Sequence, residues 1–243
     1  MKRIMLAVVW LAVAGVDLRA QSAAVFHVFP QLADGVQADG SYYVSTILAT
    51  NVNSQPATCS IRLYGGVTSR LFGASSFILP TSGSFNLQAT LSAFGSTLPL
   101  TTGYATMSCD RPVTALAAYL FLSPLGTVLG AATVFPSPAT NHAQLLVNQT
   151  GGAKLALALA NDTDAAGTYQ ITLSNSSGQT VATGSTSVAA RSNVPRFLDE
   201  ILKIPDTFSI GAVSITSSDP FSVLGLFFVG PVFFSQPATT FAQ

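Results

Sequence analysis

Few side chains in this sequence could do chemistry, and most of those that could sit in short groups. Asn161-Asp162-Thr163-Asp164 sets oxygen donors at alternate positions of a polar loop, the spacing from which calcium sites draw ligands. Asp162 and Asp164 are therefore the candidate calcium ligands. The rest of an EF-hand loop is missing, and the matching earlier segment reads Asn51-Val52-Asn53, so a polar turn between strands is the simpler reading. His27 and His142 lie near apolar residues and no G-x-S-x-G elbow accompanies either, so both are expected to be structural. Asp199 and Glu200 are neighbours. Glycoside hydrolysis needs two carboxyl groups facing each other across a cleft, which adjacent residues do not supply. There is no phosphate loop, zinc spacing or nucleotide fingerprint. The expectation is a protein that is not an enzyme and takes no cofactor.

Binding rather than turnover would fall to aromatic side chains. The single Trp, Trp10, lies in an N-terminal segment with the marks of a secretory leader: Lys2-Arg3, an apolar run from Ile4 to Val16, then Ala20 at the expected cut. Residues 1–20 are read as that signal peptide. The exported chain then holds no Trp, and Tyr42, Tyr43 and Tyr104 are the candidates for stacking against a ligand such as a sugar.

The elements that must position these residues are strands. The 243-residue chain is 49% hydrophobic and only 8% charged, with net charge zero, against about 25% charged in ordinary domains. That composition excludes disorder, and the lack of a basic stripe excludes nucleic acid. A repeat runs through the chain. Thr102–Phe121 aligns with Ile210–Val229, bringing Gly103 to Gly211 and Pro112 to Pro220. Ser45–Leu63 aligns with Leu155–Leu173, bringing Asn51 to Asn161. Two domains, 21–138 and 139–243, are expected, joined at the proline-rich Phe135–Asn141. Inward rows such as Cys59, Ile61 and Leu63 alternate with Ser60, Arg62 and Tyr64, and Ala105, Met107 and Cys109 alternate with Tyr104, Thr106 and Ser108. Gly-containing turns recur between such rows. The fold class read from this is all-β: two tandem antiparallel β-sandwich (Ig-like) domains, with a short crossover helix over Pro195–Pro205 in the second.

Two further expectations follow. Cys59 and Cys109, an even pair on inward rows of an exported chain, are expected to form a disulfide, two buried thiols being the alternative; their counterparts are Tyr169 and Ser217. The uncharged stretch Val113–Phe135 is long enough to cross a bilayer as a helix. Turn signals at Ser123-Pro124-Leu125-Gly126, and at Gly230-Pro231 in its repeat partner, predict instead the last hairpin of each domain. Its lack of polar alternation predicts that both faces are covered where the domains meet. No membrane span is expected after leader cleavage.

The segments FPQLADG (Phe29–Gly35), LATN (Leu48–Asn51), LALAND (Leu157–Asp162), FLDE (Phe197–Glu200) and SSDPFSVLGLFF (Ser217–Phe228) resemble those of a family of secreted bacterial tandem β-sandwich proteins of unsettled function. The resemblance implies a leader and Ig-like domains but no catalytic residues. It departs at Val36-Gln37-Ala38, where a Gly-Gly-Trp-like segment is usual. Together these readings favour a non-enzymatic structural or interaction protein, in the periplasm, at the cell surface or released. Its partner would be an extracellular protein or glycan. Carbohydrate binding or adhesion is one alternative, and a self-assembling homo-oligomeric fibre subunit is another, since oily strands without Lys make poorly defended sheet edges.

Overall fold

The computed structural model describes residues 22–67, 75–88, 98–230 and 232–241. The expected leader, residues 1–20, lies outside the described residues. The chain is all-β, in two antiparallel sheets. The first sheet contains β1 (Ala24–Val36), β2 (Tyr42–Asn51), β3 (Ala57–Gly65), β4 (Ser76–Leu79), β5 (Ser84–Gln88), β6 (Thr101–Leu122) and β7 (Val128–Val134). The second contains β8 (Thr140–Asn148), β9 (Lys154–Asn161), β10 (Gly167–Asn175), β11 (Thr180–Val188), β12 (Ser192–Phe197), β13 (Ile210–Val229), β14 (Val232–Pro237) and β15 (Thr239–Thr240).

The period-two pattern does what it implies. Along β3, Ala57, Cys59, Ile61 and Leu63 are buried while Thr58, Ser60 and Arg62 are exposed. Each sheet is organised by one long strand. The first part of β6 pairs with β1 and β3, and its last part with β2 and β7. The first part of β13 likewise pairs with β8 and β10, and its last part with β9 and β14. Between the two parts the register breaks. Phe26 faces Ser108 but Ala24 faces Val113; His142 faces Thr216 but Thr140 faces Phe221. Pro112 and Pro220 stand in these breaks, where a residue without an N–H leaves no ladder bond unmade and the extra residues bend the strand. One strand can thus serve two layers.

The pairing of the two halves agrees residue by residue. Ile47 faces Ala117 where Leu157 faces Gly225, and Ile61 faces Met107 where Ile171 faces Ile215. Gly103 and Gly211 recur for a physical reason: a Cβ on either would collide with the carbonyl oxygen of the neighbouring strand, Tyr64 O and Ser174 O respectively. Asn51 and Asn161, both buried, are equivalent clamps. Asn161 Nδ2 faces the carbonyls of Ala165, Val188 and Ala189 at 2.7–3.2 Å, and its Oδ1 accepts from Thr163 N. Asn51 Nδ2 faces Gln55, Leu79 and Pro80 in the same way, and its Oδ1 accepts from Asn53 N. Each amide satisfies the backbone where a turn leaves the sheet.

Cys59 and Cys109 are directly opposed on β3 and β6 and form a disulfide. In the second half, Tyr169 fills the corresponding interior, its ring meeting Phe221 edge-on at 5.1 Å, and Ser217 Oγ donates to Thr168 O.

The expected crossover helix is a single turn, α1 (Leu198–Ile201). Pro195–Phe197 belong instead to β12, which is hydrogen-bonded to β9, so the ladder holds that backbone extended. Leu198 and Leu202 still bury against the second core. A second correction concerns the row Tyr104, Thr106 and Ser108, expected to face solvent. Tyr104 and Thr106 are buried, because the second half lies over the start of this row.

The two halves share a core. Leu155, Leu157 and Leu159 of β9 fill the second half's interior, while Ala156 and Ala158, on the opposite face, join the first half's cluster together with Leu224, Leu226 and Phe233. Small Ala side chains let the sheet lie close, and the larger Leu224 and Leu226 supply the buried apolar area, about 2 kcal/mol each. The connection is held by hydrogen bonds. Ser137 N donates to Val28 O, Ser137 Oγ accepts from Val223 N, and Ser222 Oγ donates to Ser137 O.

Val113–Phe135 is strand, turn and strand, and no helix among the described residues is long and apolar enough to cross a membrane. The covering expected for both hairpins holds only for part of the second, whose Val229 and Phe234 are exposed. Phe221–Phe227 is buried without a break, whereas Leu120, Val128 and Leu129 of the first are exposed.

Candidate functional site

Where the halves meet, a cleft of about 290 Å³ opens between the first strands of one half and the last hairpin of the other. Its walls are aromatic: Tyr43, Tyr119, Phe197, Phe228 and Phe233, with Gln31, Thr102, Arg196 and Glu200 among the remaining lining residues. Strand register places each ring. Tyr43 and Phe121 face each other across β2 and β6 and stack at 4.7 Å. Phe228 and Phe233 face each other across β13 and β14 at 5.6 Å, and Phe197 packs on Phe228 at 5.3 Å. Lys154 lies 5.7 Å above the Phe197 ring while its ammonium pairs with Asp199 at 2.7 Å. Glu200 Oε2 accepts from Phe197 N at 2.8 Å, which ties the first turn of α1 to the cleft.

Electrostatically the cleft is quiet. Burial pushes the Tyr119 hydroxyl well above its ordinary range, and that hydroxyl donates to Gln31 O. Burial also raises the Tyr43 hydroxyl. Both stay protonated at neutral pH. The site can hold a flat apolar surface or a sugar face against its rings, with Arg196 and Glu200 offering polar contacts.

A second, polar cluster beside the cleft joins the halves. Tyr104, fully buried, stacks on Tyr64 at 4.5 Å and donates to Asp162 Oδ1 at 2.8 Å. Arg191 bridges Asp162 at 2.7 Å and Asp164 at 2.9 Å. Its hydrogen bond and charge hold the Asp164 carboxyl below the usual range. Asn193 Nδ2 reaches from β12 to Pro30 O, Gln31 Oε1 and Gly103 O at 2.7–3.1 Å.

Of the three tyrosines singled out in the sequence, only Tyr43 borders this cleft. Tyr42 is buried with Val44 and Leu122, and Tyr104 is part of the junction, so neither presents a free ring to a ligand. Asp162 and Asp164 come together as expected of neighbours in one loop, but around a guanidinium that already pairs with both. Among the described residues no three His, Cys, Asp or Glu side chains converge on a point that could hold a metal. His27 is buried, with its Nε2 3.1 Å from Ala24 O, and desolvation lowers its pKa. His142 meets Ser214 Oγ at 2.9 Å and stacks on Phe241 at 4.4 Å. Asp199 and Glu200 have separate partners, Lys154 and the Phe197 N–H.

Sequence reading missed Phe197, Phe228, Phe233 and Asn193. The first three sit in apolar runs that resemble core, and only the packing of one half on the other turns them toward a cleft. Asn193 carries no local signal, since its acceptors lie on β1 and β6. Comparison with family models, with curated proteins and with solved structures finds no match in any of the three.

Proposed function

We propose that this chain is an exported, non-enzymatic structural or interaction protein that works as one rigid two-repeat block in the manner of tandem β-sandwich modules. One observation carries the reading: a cluster of polar groups that could have done chemistry is engaged instead in holding the halves together. Tyr104, Asp162, Arg191 and Asn193 bond across or beside the junction. The Cys59–Cys109 disulfide supports an oxidising compartment, since such bonds do not persist in a reducing cytosol. The test is expression of the full chain with its own leader. The expected product is found outside the cytoplasm, begins near Gln21 by mass, and carries no free thiol. A full-length, reduced chain in the cytosol would overturn the export part. Turnover of any substrate that is lost on replacing His27 or His142 would overturn the non-enzymatic part.

A second reading, glycan binding or adhesion, is favoured by Tyr43 at the aromatic cleft. Retention on polysaccharide columns should then fall at least about tenfold in Tyr43→Ala, equivalent to about 1.4 kcal/mol. Equal retention of the variant and the parent would remove the cleft from that role.

A further inference from the structure

The contact between the halves uses one outward face of the second half, and the first half carries the same face largely open beyond Tyr42, Val44 and Leu122, which are buried in a cluster with Val36. In the second half this face is the row Leu224, Leu226 and Phe228 of β13 with Ala156 and Ala158 of β9 and Phe233 of β14. Leu224, Leu226, the two alanines and Phe233 are buried in the first half's cluster. Strand register identifies the counterparts without ambiguity. Leu48 faces Leu116 as Ala158 faces Leu224, Thr46 faces Ala118 as Ala156 faces Leu226, and Leu120 faces Ala131 as Phe228 faces Phe233. Leu48, Leu116 and Ala118 are only half-buried, Leu120 is 37% exposed, and the adjoining Leu129 of β7 is 54% exposed. At the tip of the same face, Val52, 57% exposed, stands where the second half has the bridging Asp162.

The receiving surface has its uncovered counterpart too. On the first half it is formed by β7, on which β14 lies with Ser235 Oγ donating to Thr133 O, by β1 at its Pro30-Gln31 bulge and by the start of β6, Thr102 to Tyr104, against which Asn193, Ala160 and Asp162 lie. For its β1 and β6 part the same register leads in the second half to Leu146 of β8 and to Ile210–Ala212 of β13, the counterpart of β7 being β14. There an open groove is lined by Leu146, Ile210 and Ala212 together with Gln144 and Ser174. Leu146 is 60% exposed and Ile210 44%. Thus one end of the molecule shows an apolar face without its receiver, and the other a receiver without its face.

We propose that the occupant of each is a second copy of this chain: the outer face of β2, β6 and β7 of one molecule docks on the β8–β13 groove of the next, repeating between molecules the packing that already joins the halves. The two surfaces differ, so the contact is heterologous, and a rotation that does not close yields an open linear assembly. This deepens the interaction reading and rests on it, with the partner now specified.

The experiment is light scattering over a concentration series of the exported chain, with electron microscopy of the same samples. The average mass should rise continuously with concentration and linear particles should appear. Leu120→Lys on the face and Leu146→Lys in the groove replace exposed residues, so thermal unfolding should be unchanged, and each variant alone should associate at least about tenfold more weakly because a lysine charge would be buried at the contact. Mixed in equal amounts they share one intact face and one intact groove and should give a particle of twice the single-chain mass that grows no further. If either variant fails to fold, Leu129→Lys and Ile210→Lys replace them. A parent chain that stays single at every concentration would overturn the proposal. So would a groove variant that assembles like the parent, which marks a symmetric face-to-face dimer, or a mixture that stays unassociated. The export test stands apart from these outcomes, so failure to assemble leaves the compartment reading standing.

Discussion

The two halves of this molecule have one strand plan and opposite surroundings. Ala156, Ala158, Leu224 and Leu226 are core residues because another sheet covers them, whereas their register mates Thr46, Leu48, Leu116 and Ala118 are half-open. The interiors diverge as well. The first is closed by Cys59–Cys109, the second by the ring of Tyr169 with a small Ser217 opposite. What stays constant is what the backbone demands: Asn51 and Asn161 at the turns, Gly103 and Gly211 where a neighbouring carbonyl closes in, Pro112 and Pro220 where the long strand changes layers. The lesson is that a duplicated fold keeps its backbone solutions and varies the side chains that meet a different neighbour.

The largest effect should separate the two interiors. The disulfide spans a sequence separation of 50, and reducing it, or making Cys59→Ala with Cys109→Ala, should cost about 4 kcal/mol by the chain-entropy relation. Installing the second half's pair, Cys59→Tyr with Cys109→Ser, should recover part of that loss. Denaturant melts of the three chains decide it; no recovery would mean that the two interiors differ in more than this pair.

Next come the asparagine clamps. Asn51→Ala and Asn161→Ala each strip buried carbonyls of their donor, and each should destabilise by about 3 kcal/mol. Agreement of the two within about 1 kcal/mol supports equivalence. A much smaller loss at Asn51 would show that the first half satisfies these carbonyls another way.

The core–surface contrast predicts unequal costs for one substitution. Leu224→Ala, which hollows the shared cluster, should cost about 3 kcal/mol. Leu116→Ala, at the register mate, should cost about 1 kcal/mol in dilute solution. Equal costs would contradict the asymmetric covering. A Leu116 cost that grows with protein concentration would tie that residue to self-association.

The smallest effect is a pH dependence confined to the first half. His27, whose position is held by Ala143 in the second half, has its pKa lowered from 6.5 chiefly by burial. The folded state therefore binds fewer protons than the unfolded chain below that value. Stability should be flat above about pH 6.5 and should fall as the pH drops from there toward the folded-state pKa. His27→Gln should flatten that part of the profile, as read from unfolding midpoints between pH 5 and 7; an unchanged slope would assign it to other groups.

Much of this was written locally. Alternation in Ala57–Leu63, the turn at Ser123–Gly126 and the repeated Asn, Gly and Pro positions are short-range facts about single strands and turns; they specified an all-β repeated chain and set Cys59 and Cys109 on inward rows, with a disulfide expected and two buried thiols the alternative. The reading went astray at Tyr104, taken for a surface ring, and at Pro195–Phe197, taken for helix. In both, the deciding contact comes from far along the chain: Asp162 on the Tyr104 hydroxyl, and the β9 ladder on β12.

By itself, then, the sequence determined which residues alternate, where the chain turns and which positions recur, because those depend on backbone sterics and on neighbours a few residues away. Only the tertiary structure decided which outward rows are covered, that Phe197, Phe228 and Phe233 ring a cleft with Tyr43, and that Asp162 and Asp164 serve a guanidinium. The physical reason is that an outward-facing apolar row reads the same in sequence whether it meets water, its own partner half or another molecule.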